Sequence, residues 1–173
     1  NRQMKDYEQV LLWCKTFLLE NSFSPYKGND IAFALLFDMN LLFESYVYDY
    51  LKKNSKFKNI KNQDKKHHLA YEDEKGKFAL KPDIVIDDGK IIVDTKWKIL
   101  SESKSNQDIS QSDMYQLYAY GKKYKSKNLY LIYPKDELIN GNLYHYYEDN
   151  ELPLQILFFD VEKLENNENL LNK

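Results

Sequence analysis

Residues 81–98 read KPDIVIDDGKIIVDTKWK, two short apolar runs on either side of Asp88-Gly89. Asp-Gly between such runs is a strong hairpin signal, because a two-residue type I′ turn needs positive φ at both central positions. The turn fixes the register. Asp87 then faces Lys90, Ile86 faces Ile91, Val85 faces Ile92, Ile84 faces Val93, and Asp83 faces Asp94. Side chains alternate along a strand, so Ile84, Ile86, Ile91 and Val93 share a face suited to a core, while Asp83, Asp94 and Lys96 share the other.

Two carboxylates directly opposite each other, with Cβ atoms roughly 4.5–5.5 Å apart, destabilise a hairpin unless something offsets the repulsion. A divalent cation would do so. Oxygen donors at that spacing suit Mg²⁺ or Mn²⁺ better than zinc. Lys96 emerges two residues beyond Asp94, where an ammonium can orient a water or stabilise charge on a phosphoryl group. Acid, acid and lysine together point to phosphodiester hydrolysis. The structural alternative is a weak surface ion pair between Asp94 and Lys96; the register, which brings all three groups to one side, favours the catalytic reading.

Outward from the hairpin, Leu11, Leu12, Phe17, Leu18 and Leu19 give the first twenty residues an apolar helical face. A second helix is expected from about Ile31 or Asp38 to Lys53, with Phe43, Val47, Tyr50 and Leu51 as its buried stripe. Lys52 to Lys66 reads as a loop or extended connection, followed by strands at about His68–Glu72 and Phe78–Ile86. Beyond the turn come a strand from Ile91 to Trp97, a polar loop through Ser101–Ser110 and a helix from about Ser112 to Lys123. Strands at Leu129–Tyr133 and Leu154–Asp160 and an acidic tail complete the order, which is mixed α/β. The length suits a single domain over residues 1–173, with a hairpin leading into an αβ unit.

Hydrophobic residues at 43% and charged residues at 30% are those of an ordinary globular chain. No apolar run approaches the roughly 18 residues that cross a bilayer. Cys14 is the only cysteine, which excludes an internal disulfide and any site built from several thiolates, and fits a cytoplasmic setting. A net charge of −2 argues against a wholly basic nucleic-acid surface, yet Lys52 to His68 holds seven lysines against one acid, Asp64. That segment reads first as a solvated loop. With Lys122, Lys123, Lys125 and Lys127 it could also flank a cleft and hold phosphates.

Pro82-Asp83, ten residues, then Asp94-Thr95-Lys96 resembles the PD-(D/E)XK nuclease superfamily. The resemblance implies a restriction-endonuclease-like core, a mixed sheet with a central β-hairpin flanked by helices. Glu44, in FDMNLLFESYVYDYLKK, stands where the superfamily often supplies a third acid, and Gln116 and Tyr120, in SDMYQLYAYGKKY, match the Gln-x-x-x-Tyr signature of RecB-like members. The blocks FDMNLLFESYV, LKPDIVI, IIVDTKWK and SDMYQLYAY, spanning Phe37 to Tyr120, are similar to the nuclease domain of the McrC family, cleavage subunits of McrBC-type modification-dependent restriction systems.

That resemblance implies a metal-dependent DNA endonuclease using Mg²⁺, with Mn²⁺ as substitute. Asp83 and Asp94 would hold the metal, Thr95 would add its main-chain carbonyl, and Glu44 would be a third or water-mediated ligand. Lys96 would be the catalytic lysine, with Gln116 and Tyr120 supporting the site or touching the DNA backbone. The implied partners are double-stranded DNA with modified cytosine and an McrB-like AAA+ GTPase. The chain has no Gly-x-x-x-x-Gly-Lys loop, so nucleotide hydrolysis would belong to another polypeptide. It begins at Asn1 rather than Met and is read as the C-terminal catalytic part of a longer subunit.

Blander roles compete at several positions. Glu44 could be a helix-surface acid; its direction relative to Asp83 and Asp94 decides. Tyr115, Tyr118, Tyr120 and Tyr124 suit aromatic packing, whereas a buried Gln116 would need a polar partner such as Lys96 or a phosphate. Lys81 would face Lys96 in the same register, a juxtaposition able to depress the ammonium pKa, although a strand end is usually solvated. His67, His68 and His145 show no ligand spacing and read as surface or packing residues. The rival function is a catalytically inactive nuclease-fold module that binds DNA or protein. A RecB-like exonuclease with an iron-sulfur cluster is disfavoured by the single cysteine.

Overall fold

The computed structural model describes residues 38–101, 103–136, 143–147 and 152–171. The helix expected in the first twenty residues, Cys14 and the earlier helix start at Ile31 lie outside them. The elements are α1 (Met39–Asn54), β1 (Ile60–Asn62), β2 (His68–Glu72), β3 (Lys75–Ala79), β4 (Ile84–Ile86), β5 (Ile91–Thr95), α2 (Gln111–Tyr124), β6 (Asn128–Pro134), β7 (Leu143–Tyr146) and β8 (Pro153–Phe159). The fold is mixed α/β. Six strands in the order β1-β4-β5-β6-β8-β7 make one sheet, and β2 and β3 form a separate two-stranded ribbon.

The central hairpin has the register that Asp-Gly dictates: Ile84 pairs with Val93, Val85 with Ile92, and Ile86 with Ile91. Asp88 (φ 55°) and Gly89 (φ 100°) take the positive φ values of the turn, and the Lys90 N–H donates to the Asp87 carbonyl at 3.3 Å. From this pair the sheet grows on both sides. β1 adds antiparallel to β4; β6 adds parallel to β5 and β8 parallel to β6, and β7 closes the far edge antiparallel to β8.

The two faces of the hairpin are covered by different helices. Ile84, Ile86, Ile91 and Val93 pack with Phe43, Val47 and Leu51 of α1, whose spacing of four places them on one stripe. Val85 and Ile92 pack with Leu117, Tyr120 and Tyr124 of α2. Asp38 starts α1 by accepting the N–H groups of Asn40 at 3.0 Å and Leu41 at 3.3 Å. Lys125 ends α2 in a left-handed conformation, φ 55°.

Five details differ from the sequence reading. The strand expected over Phe78–Ile86 is two: β3 stops at Ala79 and β4 starts at Ile84, because Pro82 has no N–H for a ladder and Phe78 turns the chain with φ 56°. The strand expected to Trp97 stops at Thr95; Lys96 still donates its N–H to Ile132 at 2.9 Å, but that of Trp97 goes to the Asn40 side chain at 3.1 Å. β1 lies inside the lysine-rich connection, and β7 was not anticipated. In the polar loop Asn106, Gln107 and Asp108 turn the chain with φ of 51°, 55° and 68°. No helix among the described residues is long and apolar enough to cross a membrane.

Gly89 has a second constraint, since a Cβ built on it would stand 2.8 Å from Tyr124 Cδ1. Gly89→Ala should therefore lower the stability of the chain by about 1–2 kcal/mol, the cost of positive φ for a residue with a Cβ. Chemical denaturation measures this; an unchanged midpoint would mean that the turn does not hold the register.

Candidate active site

The hairpin ladder ends at Ile84 and Val93, and the next residue of each strand is an acid. Asp83 is anchored by Thr95: one carboxylate oxygen, Oδ2, accepts the Thr95 N–H at 2.7 Å and the Thr95 hydroxyl at 2.8 Å. The Asp83 carbonyl accepts the N–H of Gln63 at 2.8 Å, which ties the end of β1 to the same place. Asp94 is only 1% exposed. Its Oδ2 accepts from the Lys96 ammonium, while its Oδ1 is buried with no hydrogen-bond partner.

The electrostatics follow from this crowding. Burial and then the charge of Asp83 push Asp94 up to about 7, against the opposing pull of Lys96. Asp83 is also raised by burial, although both Thr95 hydrogen bonds and Lys96 favour its ionised form. For Lys96, burial works against the charge, but Asp94 and then Asp83 outweigh it and hold the ammonium above its ordinary value. The depression that a facing Lys81 could have caused is therefore not found. Lys81 is exposed, beyond the last ladder pair.

Glu44 is half-buried on α1 and accepts from the Gln63 side chain at 3.0 Å. Burial and then Asp83 raise its pKa while Lys96 lowers it, so its carboxylate lies within electrostatic reach of both. Even so, among the described residues no three Asp, Glu, His or Cys side chains are close enough to hold one ion. Asp83 acts electrostatically on both Asp94 and Glu44, so the three acids are near one another without forming one cluster.

Gln116 and Tyr120, one turn apart on α2, hydrogen-bond to each other at 2.6 Å, and the Tyr120 hydroxyl donates to the Lys81 carbonyl at 3.1 Å. Tyr120 is buried and Gln116 exposed, so this pair joins α2 to the chain entering Asp83. Burial raises the Tyr120 pKa. His67 packs edge-on against Tyr124 at 4.3 Å and His68 against Tyr71 at 6.0 Å, both as packing residues. Of the lysines proposed to flank the site, Lys61 pairs with Asp88 at 3.0 Å and Lys52 lies over the Tyr48 ring at 5.4 Å.

Two neighbours escaped the sequence reading. Asp113, in the first turn of α2, acts on the pKa values of both Asp94 and Lys96. Tyr133, on β6, is fully buried. Asp113 could have been found one turn before Gln116, and Tyr133 from a parallel register between β5 and β6.

The residues present fit a divalent cation. Asp94 Oδ1 is a buried acceptor without a donor, Asp83 has a second oxygen not taken by Thr95, and the repulsion between the two acids needs a positive charge beyond Lys96. All of these donors are hard oxygens, as Mg²⁺ and Mn²⁺ prefer.

A family model described as "McrBC 5-methylcytosine restriction system component" matches residues 1–134. No curated protein matches. Among solved structures, the chain is similar to one from the refined half-complex of a tetradecameric assembly of Thermococcus gammatolerans McrB AAA+ hexamers with bound McrC. The identity is 18% and the TM-score 0.58, over 76% of this chain and 30% of that one, a likeness of fold. The present chain thus spans less than a third of its structural neighbour.

The raised Asp94 pKa sets a pH dependence. Between the ordinary carboxylate value of 3.8 and about 7, the unfolded chain has lost a proton that folded Asp94 retains. Stability therefore falls as pH rises through that window, and the full cost is present above it. Asp94→Asn removes this contribution. Thermal melts without metal should show the wild type losing stability relative to Asp94→Asn from about pH 4 to about pH 8; a constant difference would contradict the burial of a charged Asp94.

Proposed function

The chain belongs to the McrBC family of 5-methylcytosine restriction system components, and from that membership we propose that it is a metal-dependent DNA endonuclease domain of McrC type with a PD-(D/E)XK core. The observation that carries this reading is the buried Asp94, with one oxygen on Lys96, the other unpartnered, and Asp83 beside it. A fold that needed only stability would not keep two acids within electrostatic reach of each other at the end of its central hairpin. The reaction is hydrolysis of a phosphodiester bond.

Asp83 and Asp94 would hold the cation, with the Thr95 carbonyl as a further oxygen donor and Glu44 acting from behind. Mg²⁺, or Mn²⁺ in its place, supplies Lewis-acid stabilisation of phosphoryl charge and lowers the pKa of a water. Thr95 fixes the Asp83 carboxylate through two hydrogen bonds, so the acid is oriented before any ligand arrives. Lys96 remains an ammonium at neutral pH and can donate to a phosphoryl oxygen or orient the attacking water. Gln116 and Tyr120 brace the segment that delivers Asp83 and leave Gln116 exposed beside the site to meet a DNA backbone.

The substrate in this reading is double-stranded DNA carrying modified cytosine, and the partner is an McrB-like AAA+ GTPase in the cytoplasm. Family membership and the likeness of fold to a chain from an McrB assembly with bound McrC support the pairing.

Calorimetric titration tests the reading. Mn²⁺ should bind the wild type and bind Asp94→Asn at least about 100-fold more weakly. Lys96→Met should retain Mn²⁺ yet cut duplex DNA on the order of 100-fold more slowly when assayed with an McrB-type GTPase. Absence of Mn²⁺ binding by the wild type, with or without a DNA duplex, would leave a nuclease-fold binding module instead.

A further inference from the structure

Three buried side-chain polar atoms among the described residues have no hydrogen-bond partner: Ser55 Oγ, Asp94 Oδ1 and Tyr133 Oη. Ser55 lies apart, at the end of α1 beside a small cleft lined by Asn167 and Leu171. The other two lie on adjacent strands of the sheet. In the parallel ladder Asp94 pairs with Leu131 and Thr95 with Ile132, so Tyr133 lies two residues beyond the partner of Asp94. Leu131 and Tyr133 pack in the same cluster as Leu117 and Tyr120, which puts Tyr133 on the α2 face of the sheet with Asp94. With strands about 4.8 Å apart and a rise of about 3.3 Å per residue, such diagonal neighbours are roughly 8 Å apart at the backbone, within reach of an aromatic side chain.

A tyrosine hydroxyl at 0% exposure ordinarily has a partner, and phenylalanine would fill the same apolar space without needing one. Direct contact with DNA is excluded by that burial. A carboxylate oxygen has two lone pairs, so Asp94 Oδ1 can face a cation with one and accept a hydrogen bond with the other. Burial raises the Tyr133 pKa, which keeps its hydroxyl a donor, and Asp113 and then Asp94 add to the shift, so both acids lie within electrostatic reach. A water there could accept from Tyr133 and donate to Asp94 and Asp113, the three bonds typical of a buried water.

We propose that Tyr133 is a positioning residue of the acid site: its hydroxyl donates to a buried water that donates in turn to Asp94 Oδ1, fixing that carboxylate for a divalent cation. The assignment rests on the metal-dependent reading of Asp83 and Asp94. It makes Tyr133 and Asp113 part of the support for the site, although neither touches substrate.

Calorimetric titration of Mn²⁺ into the wild type, Tyr133→Phe and a core control, Leu117→Val, tests it, with thermal melts of each without metal. Tyr133→Phe should bind Mn²⁺ about 10–100-fold more weakly, as when the hydrogen-bond partner of a metal ligand is lost. Its melting temperature should equal or exceed that of the wild type. Leu117→Val should melt lower and keep wild-type affinity. Unchanged affinity in Tyr133→Phe overturns the Tyr133 assignment alone, and so does an equal loss of affinity in the control. No Mn²⁺ binding by the wild type overturns the metal reading and the assignment with it.

Discussion

Thr95 sends two hydrogen bonds, from its N–H and its hydroxyl, to a single oxygen of Asp83. They cross the gap at which the ladder between β4 and β5 has ended, and they hold the start of one strand against the end of the other. Hydrogen bonds to a charged acceptor are worth about 1.5–3 kcal/mol each, so this pair can keep in register an end that ladder bonds no longer fix. Asp83 and Asp94 are brought together as a consequence. Everything else at the site is arranged around two acids that could not otherwise remain neighbours.

Asp94 shows how the surrounding fold answers that repulsion. Taking a carboxylate out of water costs several kcal/mol even after relaxation, and a nearby like charge adds to the cost. Lys96 offsets part of it through the ion pair to Oδ2, and remains partly exposed itself, with 26% of its side chain in contact with solvent. The offset is incomplete. Asp94 still has a pKa near 7, and Oδ1 has no donor. By contrast Asp160, at the end of β8, is fully answered: it accepts from the N–H groups of Glu162 and Lys163 and from the side chains of Asn166 and Lys135, and its pKa is depressed. One acid closes a turn; the other is left with unspent acceptor capacity.

The hairpin was legible because Asp88-Gly89 admits one turn geometry and the turn dictates every pair that follows. The acids and Lys96 followed from strand alternation. Helix α1 was legible from the spacing of Phe43, Val47 and Leu51, and α2 as a helix near Ser112–Lys123; of the four tyrosines read as packing residues there, Tyr120 and Tyr124 are buried, whereas Tyr115 and Tyr118 are exposed and the buried Leu117 was not singled out. What escaped depends on partners distant in sequence. β1 is three residues long and mostly exposed, so its composition is that of a loop, and only the free edge of β4 makes it a strand. Tyr133 looks like one more strand aromatic until the parallel pairing of β5 with β6 puts it near Asp94. Glu44 sits on a helix that covers the opposite face of the sheet, and its relation to Asp83 depends on where α1 crosses the sheet end.

That sheet end is where the topology itself provides room. β5 and β6 run parallel, so their carboxyl ends lie at one edge, and antiparallel β4 brings its amino end to the same edge. Open α/β sheets bind ligands at the carboxyl ends of parallel strands, where the chain must leave the ladder and backbone groups become available. Here the chain after β5 leaves at once: Trp97 gives its N–H to Asn40 on α1 and packs its ring, tilted by 60°, against Phe43 at 5.4 Å. On the other face, Tyr120 bonds the Lys81 carbonyl just ahead of Asp83. Each covering helix thus grips one of the two strands at the point where its acid begins. The apolar packing of α1 and α2 is thereby coupled to the spacing of the two carboxylates, which connects the stability of the core to the geometry of the site.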